Sequence, residues 1–291
     1  MFANDSLFET EYNYDEAKIV VFGAPFDSTT SYRPGTRFAS KTMRAESYGL
    51  EYYSPGQDED LINVPFFDAG DLNLPLGSSE LTLKNIENYV AQVMVDGKFP
   101  LMIGGEHLLT LAPVSVAQRN YGDLALIHFD AHADLRDEYL GVKLSHASVV
   151  RRIHELLGDN SIFQFGIRSG EKAEFEFAKQ HTHLQKFDFT DLEEILKKIQ
   201  GRHVYFTLDL DVLDPSVFPG TGTPEAGGVS FVELMKAAFK VFDYCDVVGF
   251  DMMELSPPYD PSGISTATAL KLLREFLIRI NAKFQSQSEM S

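Results

Sequence analysis

Four apolar residues, Leu124-Ala125-Leu126-Ile127, run straight into His-Phe-Asp-Ala-His-Ala-Asp at 128–134, and no other stretch restricts the possible folds as sharply. A short apolar run of this kind reads as a buried strand. In extended chain, residues i, i+2 and i+4 face one way, so Asp130, His132 and Asp134 are expected to converge where the strand finishes. A second apolar run, Val204-Tyr205-Phe206-Thr207-Leu208, ends in Asp209 and Asp211, again two residues apart. His107, just past a third run, can supply a sixth ligand. Four carboxylates and two imidazoles are too many for one closed tetrahedral zinc. They suit two divalent cations sharing bridging carboxylates, and the oxygen-rich set favours manganese or magnesium. The pattern is that of a two-metal hydrolase.

The rest of the chain alternates strands and helices. Ile19-Val20-Val21-Phe22 reads as a strand stopped by Gly23-Ala24-Pro25, followed by a polar loop at 27–37 and a helix from Ser40 to Gly49. Asp68-Ala-Gly-Asp71 and Leu74-Pro75 read as turns, and Ser79 as the cap of a helix bearing Leu83, Ile86, Val90, Val93 and Met94 and stopping at Gly97. Strands are expected at 99–103, 124–129, 162–166, 204–208 and 247–250. Helices are expected at 109–119, 147–157, 171–180, 191–200 and 230–243, with a last one carrying Leu270, Leu273, Leu277 and Ile280. This alternation is α/β with a parallel sheet, and every candidate ligand falls at the carboxyl end of a strand, where such sheets bind ligands. We expect a single domain over 1–291, with an arm at 1–17 that packs on the body or on a neighbouring subunit, and a polar tail at 284–291.

Composition narrows the function. The 43 acidic and 25 basic side chains leave a net charge of −18, which disfavours nucleic acid and favours a cationic ligand. The single Cys245 excludes an internal disulfide framework and any cysteine metal cage, as suits the cytoplasm. The N-terminus has no basic, apolar leader pattern, and no stretch approaches the roughly 18 apolar residues that a membrane span needs. Two other functional classes make distinct demands. A phosphatase on the same metal pair would need basic groups and a phosphate-cradling glycine loop beside the site, and a non-catalytic binding protein would be marked by lost ligands, of which none is missing.

Several motifs in order resemble the ureohydrolase family of arginases and agmatinases, agmatinases most closely. They are Ser31-Tyr-Arg-Pro-Gly35, Gly-Gly-Glu-His at 104–107, Asp-Ala-His-Ala-Asp at 130–134, Asp-Leu-Asp at 209–211 with Asp214-Pro215, Gly-Thr-Gly-Thr-Pro at 220–224 and Gly249-Phe-Asp-Met-Met-Glu254. The resemblance implies a three-layer arginase-like fold with a central, mainly parallel eight-stranded sheet, two Mn2+ per subunit, and homotrimers or homohexamers. It implies one manganese on His107, Asp130, Asp134 and Asp209 and another on Asp130, His132, Asp209 and Asp211, with Asp130 and Asp209 bridging. A metal-bridging hydroxide would attack the guanidinium carbon, since two cations about 3.5 to 4 Å apart lower the pKa of a shared water. Asp134 would pass its proton to the leaving nitrogen, His146 would shuttle protons to solvent, and Glu254 would hydrogen-bond the guanidinium. None of the other histidines, at 128, 154, 181, 183 and 203, is assigned to chemistry.

For the substrate, the stretch Leu135–Ser145 is not rich in the Asn, Ser and Thr with which arginases bind an α-carboxylate and α-amine. That points to agmatine, a small cationic guanidino compound hydrolysed to urea and putrescine, whose ammonium could pair with Asp137, Glu138 or Glu225. Arg136 in the same loop keeps guanidinobutyrate, and beside it arginine or a formimino compound, as the alternatives.

Overall fold

Each of the six long apolar runs forms a strand of one sheet in the computed structural model, which describes residues 6–289 and side chains as far as Gln285. Residues 1–5 of the expected arm and 290–291 of the expected tail lie outside them. The strands are β1 (Ile19–Gly23), β2 (Tyr53–Ser54), β3 (Glu59–Asp60), β4 (Phe66–Asp71), β5 (Phe99–Ile103), β6 (Leu124–Phe129), β7 (Ile162–Ile167), β8 (His183–Lys186), β9 (His203–Asp209) and β10 (Asp246–Met253). Eight of them make a parallel sheet in the order β4-β1-β5-β10-β9-β6-β7-β8, while β2 and β3 pair as a separate antiparallel hairpin.

Helices cover both faces. They are α1 (Ala39–Glu46), α2 (Ser79–Val95), α3 (Leu111–Tyr121), α4 (Val149–Leu157), α5 (Lys172–His181), α6 (Leu192–Lys198), α7 (Phe231–Tyr244) and α8 (Ile264–Glu289). Strand β6 shows how the layers are sealed: Ala125, Ile127 and Phe129 join one apolar cluster with Phe206, Phe242 and Phe276, whereas Leu124 and Leu126 pack with Val114 and Ile153 on the other face. Each fully buried side chain of this size contributes roughly 1.5–3 kcal/mol of transfer free energy. Packing order follows the chain, with α2 on α3 and α3 on α4 on one side, and α1, α8, α7 and α6 in succession on the other. Among the described residues no helix is long and apolar enough to cross a membrane.

The differences from the sequence reading sit at the edges. Asp68-Ala-Gly-Asp71 is not a turn but the end of the edge strand β4; Gly70 takes φ 75° there and the pairing with β1 slips by one residue near Gly23. The short β8, reading His-Leu-Gln-Lys, closes the opposite edge and carries no apolar run. Ser78 rather than Ser79 caps α2, its side chain accepting from the Leu81 N–H. The segment from Phe284 to Glu289, within the expected polar tail, continues α8. Of the N-terminal arm, residues 6–17 pack on the body: Leu7 and Phe8 are buried, and the Leu7 N–H donates to Asp68.

Candidate active site

The four strands β5, β10, β9 and β6 are consecutive neighbours at the centre of the sheet, and all of the candidate ligands lie just beyond their carboxyl ends. The connection after β5 is forced into a sharp turn. A Cβ on Gly105 would sit 1.9 Å from the Phe26 carbonyl oxygen, which instead accepts a 2.9 Å hydrogen bond from the Glu106 N–H. That turn delivers His107 into the site.

The imidazole of His107 is oriented by a chain of groups beneath it. Tyr205 and Thr207 both donate to Asp251, at 2.9 and 2.5 Å, and Thr207 Oγ1 lies 2.9 Å from His107 Nε2. The Thr207 hydroxyl has one proton, and Asp251 takes it, so toward His107 it accepts. Nε2 therefore carries a hydrogen, and in the neutral ring Nδ1 presents a lone pair. That Nδ1 is buried with no hydrogen bond of acceptable geometry, yet it faces oxygens of Asp130, Asp209 and Asp134 at 3.0, 3.1 and 3.6 Å. A lone pair among three carboxylates calls for a cation between them, and this arrangement of donors fits a metal.

Beyond Phe129 the chain leaves the sheet. Asp130, His132 and Asp134 do not converge by strand alternation, because only His132 keeps a single parallel bridge, to Ser169, and Asp134 adopts φ 51°. They converge through a tight loop pinned by its own carboxylates: Asp130 Oδ1 accepts from the His132 N–H at 2.6 Å, and Asp211 Oδ1 accepts from the Ala131 N–H at 3.2 Å. Asp209, the last residue of β9, caps a helical turn by accepting from the Asp211 N–H at 2.8 Å. The free edge of this second group puts His132 Nδ1 at 3.1 Å from Asp211 Oδ2 and 3.4 Å from Asp130 Oδ1. All six expected ligands are brought together, in two subsets that share Asp130.

Electrostatics follow from the crowding of buried carboxylates. Burial, and then the neighbouring Asp130, hold Asp134 well above the usual carboxylate range; burial and then Asp211 do the same to Asp209. Burial pushes Asp130 the same way, but the imidazoles set against it, His107 and His128, override it and hold Asp130 well below. Burial, with Asp211 as the main neighbouring carboxylate, pushes Glu254 up to about 8; its Oε1 accepts a 2.8 Å hydrogen bond from the His107 N–H.

A cavity of about 230 Å³ opens onto this cluster and is lined by His107, Asp134, Asp209, Glu254, His146 and Thr223, among others. His146 stands at its wall, with Nε2 3.1 Å from Ser31 Oγ and its N–H donating to Thr29 Oγ1 at 3.1 Å. Burial, and then the nearby His132, depress His146 to about 4. The loop at 27–37 and the stretch 220–224 close on each other, as Arg33 donates to the Gly222 and Thr221 carbonyls at 3.2 Å. Thr223 reaches Asp211 Oδ2 at 3.4 Å.

Some residues that build the site carried no sequence assignment. His128 donates from Nε2 to Asp130 Oδ2 at 2.9 Å and accepts at Nδ1 from the Gln164 amide at 3.1 Å. Its position two residues before Asp130, on the same face of the strand, was the available signal. Glu106 is wholly buried and receives Thr29 through both its N–H and its hydroxyl, at 2.7 and 2.6 Å; burial pushes it up to about 7. The acids that line the cavity beside Arg136 are the exposed Glu171 and the buried Glu174, not those expected from the loop. Asp137 is paired with Arg152 at 2.9 Å, Glu225 Oε1 accepts from Ser169, and neither they nor Glu138 line the cavity. Arg136 does line it, but its guanidinium is held by Glu171 at 2.5 Å.

Comparison with known proteins gives a consistent picture. The model of the arginase family matches residues 17–278. The agmatinase of Bacillus subtilis is 46% identical over 268 residues, covering 91% of this chain and 92% of its own. Among solved structures, a Clostridium difficile protein described as an agmatinase superposes with a TM-score of 0.90 at 50% identity, covering 94% of this chain and all of the other. The agmatine ureohydrolase of Thermoplasma volcanium gives 0.89 at 34%, covering 98% and 97%.

Proposed function

This chain belongs to the arginase family, and on that premise we propose that it is an agmatinase, hydrolysing the guanidino group of agmatine to urea and putrescine. The observation that carries this reading is His107 Nδ1, set among three buried carboxylate oxygens beside a cavity that Glu171 and Glu174 also line.

Six side chains would hold two metal ions, manganese by family: His107, Asp130, Asp134 and Asp209 on one side, and His132 and Asp211 on the other with Asp130 and Asp209. When bound, the pair lowers the pKa of a shared water and neutralises the carboxylates that crowd one another. The chain's own groups do the rest. Glu254 lies against the turn that carries His107 and accepts hydrogen bonds from the guanidinium, fixing the electrophilic carbon over the cluster. Asp134 accepts a proton as water adds and returns it to the leaving nitrogen. His146, neutral at pH 7, stands between the cluster and solvent and carries protons between them.

Selectivity for agmatine comes from the far end. Arg136 is tied to Glu171 and lies 3.6 Å from Glu174, so two acids there face one cation, and the negative charge left over suits an ammonium better than a carboxylate. The low cysteine count and acidic surface support work in the cytoplasm, and family membership supports a homotrimer or homohexamer. The test is urea release by manganese-loaded protein from agmatine, guanidinobutyrate and arginine at one pH. Agmatine should lead by at least tenfold in kcat/KM, since burying an unpaired charge costs about 2 to 5 kcal/mol. Equal rates on arginine would remove the agmatine assignment, and a lead for guanidinobutyrate would make Arg136 a carboxylate partner.

A further inference from the structure

A second gathering of imidazole and carboxylate lies away from the cavity, in a part of the molecule that the hydrolysis does not use. His154 sits in the last turn of α4, Asp159 in the tight turn that follows, and His181 ends α5. His154 Nε2 and His181 Nδ1 each lie 2.8 Å from the same atom, Asp159 Oδ1. One ligand atom from each of the three residues falls within 4.8 Å of the other two. The turn is bounded by Gly158 at φ 75° and Asn160 at φ 61°, which fixes where Asp159 emerges. Phe177 sets both rings: His181 stacks on it at 4.2 Å and His154 meets it edge-on at 5.0 Å. Arg151 packs its guanidinium 3.7 Å from the centre of the same ring.

We propose that His154, Asp159 and His181 form a separate metal site for one zinc-class divalent ion, with its remaining position open to water. Zinc bonds of about 2.0 Å set neighbouring ligand atoms of a tetrahedron about 3.3 Å apart, so each N···O separation needs to open by only about half an ångström. The Asp159 side chain, 53% exposed, is free to make that movement while the aromatic stack holds the rings. Two imidazole nitrogens to one carboxylate prefer zinc, nickel or copper to manganese, the opposite preference to the oxygen-rich centre under the sheet. The site would fasten the far end of α5 to the turn after α4. The near end of α5 carries Glu174 and follows Glu171, both of which line the cavity.

The experiment uses the manganese-saturated protein dialysed against low zinc with manganese in excess, and counts both metals per chain by mass spectrometry. Wild type should hold one more zinc per chain than His154→Ala/His181→Ala, with manganese content and urea release the same in both. Equal zinc in the two proteins overturns the proposal. A second measurement needs no variant: saturating zinc should slow diethyl pyrocarbonate modification of His154 and His181 by about tenfold or more, as occupancy of a site requires. Unchanged modification of both rings would overturn it as well.

Discussion

Two groups in this molecule are made of the same side chains, histidine and aspartate a few ångströms apart, and they sit in opposite surroundings. At the carboxyl ends of β5, β6 and β9, Asp130 is fully buried and His107 is 1% exposed; between α4 and α5, Asp159 has half of its side chain in water. Low dielectric magnifies every interaction in the first group, so the carboxylates shift one another strongly and their charge must be met by cations. In the second group solvent screens the same contacts, and hydrogen bonds from His154 and then His181 hold Asp159 below its ordinary value. Residue type alone therefore does not distinguish a catalytic centre from a peripheral one. What separates them is position, since the buried group alone faces a cavity at the centre of the sheet.

The sharpest way to break this contrast is to remove a shared ligand. Asp130→Ala and Asp209→Ala should each lose manganese from both positions. They should also lower urea release by roughly a thousandfold or more, because the metals stabilise the transition state by several kcal/mol and each 1.36 kcal/mol is tenfold. Full activity with either variant would mean that the buried group is not the catalytic one. His146→Asn should leave both metals bound and slow kcat by about tenfold to a hundredfold, the lower range for a group that relays protons. Metal analysis beside turnover decides the point, because loss of manganese would make His146 a ligand.

A third test moves outward, to where the cavity meets water. Glu171→Gln should raise KM for agmatine about two- to fivefold with kcat unchanged, since an ion pair at a half-exposed carboxylate is worth at most about 1 kcal/mol. A fall in kcat instead would place Glu171 with the reacting atoms.

The contrast between inside and outside also explains what could be read without a structure. Six central or near-central strands were legible because burial on both faces demands runs of apolar residues, as in Leu124-Ala125-Leu126-Ile127, where every side chain is buried. The edge strands β4 and β8 were missed for the same reason reversed: one flank faces no partner strand, so Asp68, Gly70, His183 and Gln185 are tolerated and the run disappears. Five of the six candidate ligands were legible through short spacings within one segment, Asp130, His132 and Asp134 and then Asp209 and Asp211, and His107 only through its place just past an apolar run. Their convergence was right and the reason given for it wrong, since a loop with Asp134 at positive φ achieves it and not strand alternation. The outer acids came from a segment some 35 residues beyond Arg136, and the trio His154, Asp159 and His181 from two helices; no spacing rule joins such residues.

The smallest expected effect concerns the exposed group and its dependence on pH. Hydrogen bonds from His154 and then His181 hold the Asp159 carboxyl below its ordinary value. The folded protein therefore binds this proton less readily than the unfolded chain does. Whatever stability the carboxylate contributes is present above the ordinary carboxylate pKa of about 4 and is lost as pH falls through the lower folded value. Asp159→Asn removes the titrating group and the contribution with it. Thermal unfolding of wild type and variant should thus show a small gap in Tm near pH 6 that closes toward pH 3. Zinc should widen the gap near pH 6, where the carboxylate is free to bind it, and should have no such effect once acid has protonated the ligands. A gap that stays constant with pH would mean that Asp159 acts through the shape of the turn and not through its charge, and the two groups would then differ in kind and not only in exposure.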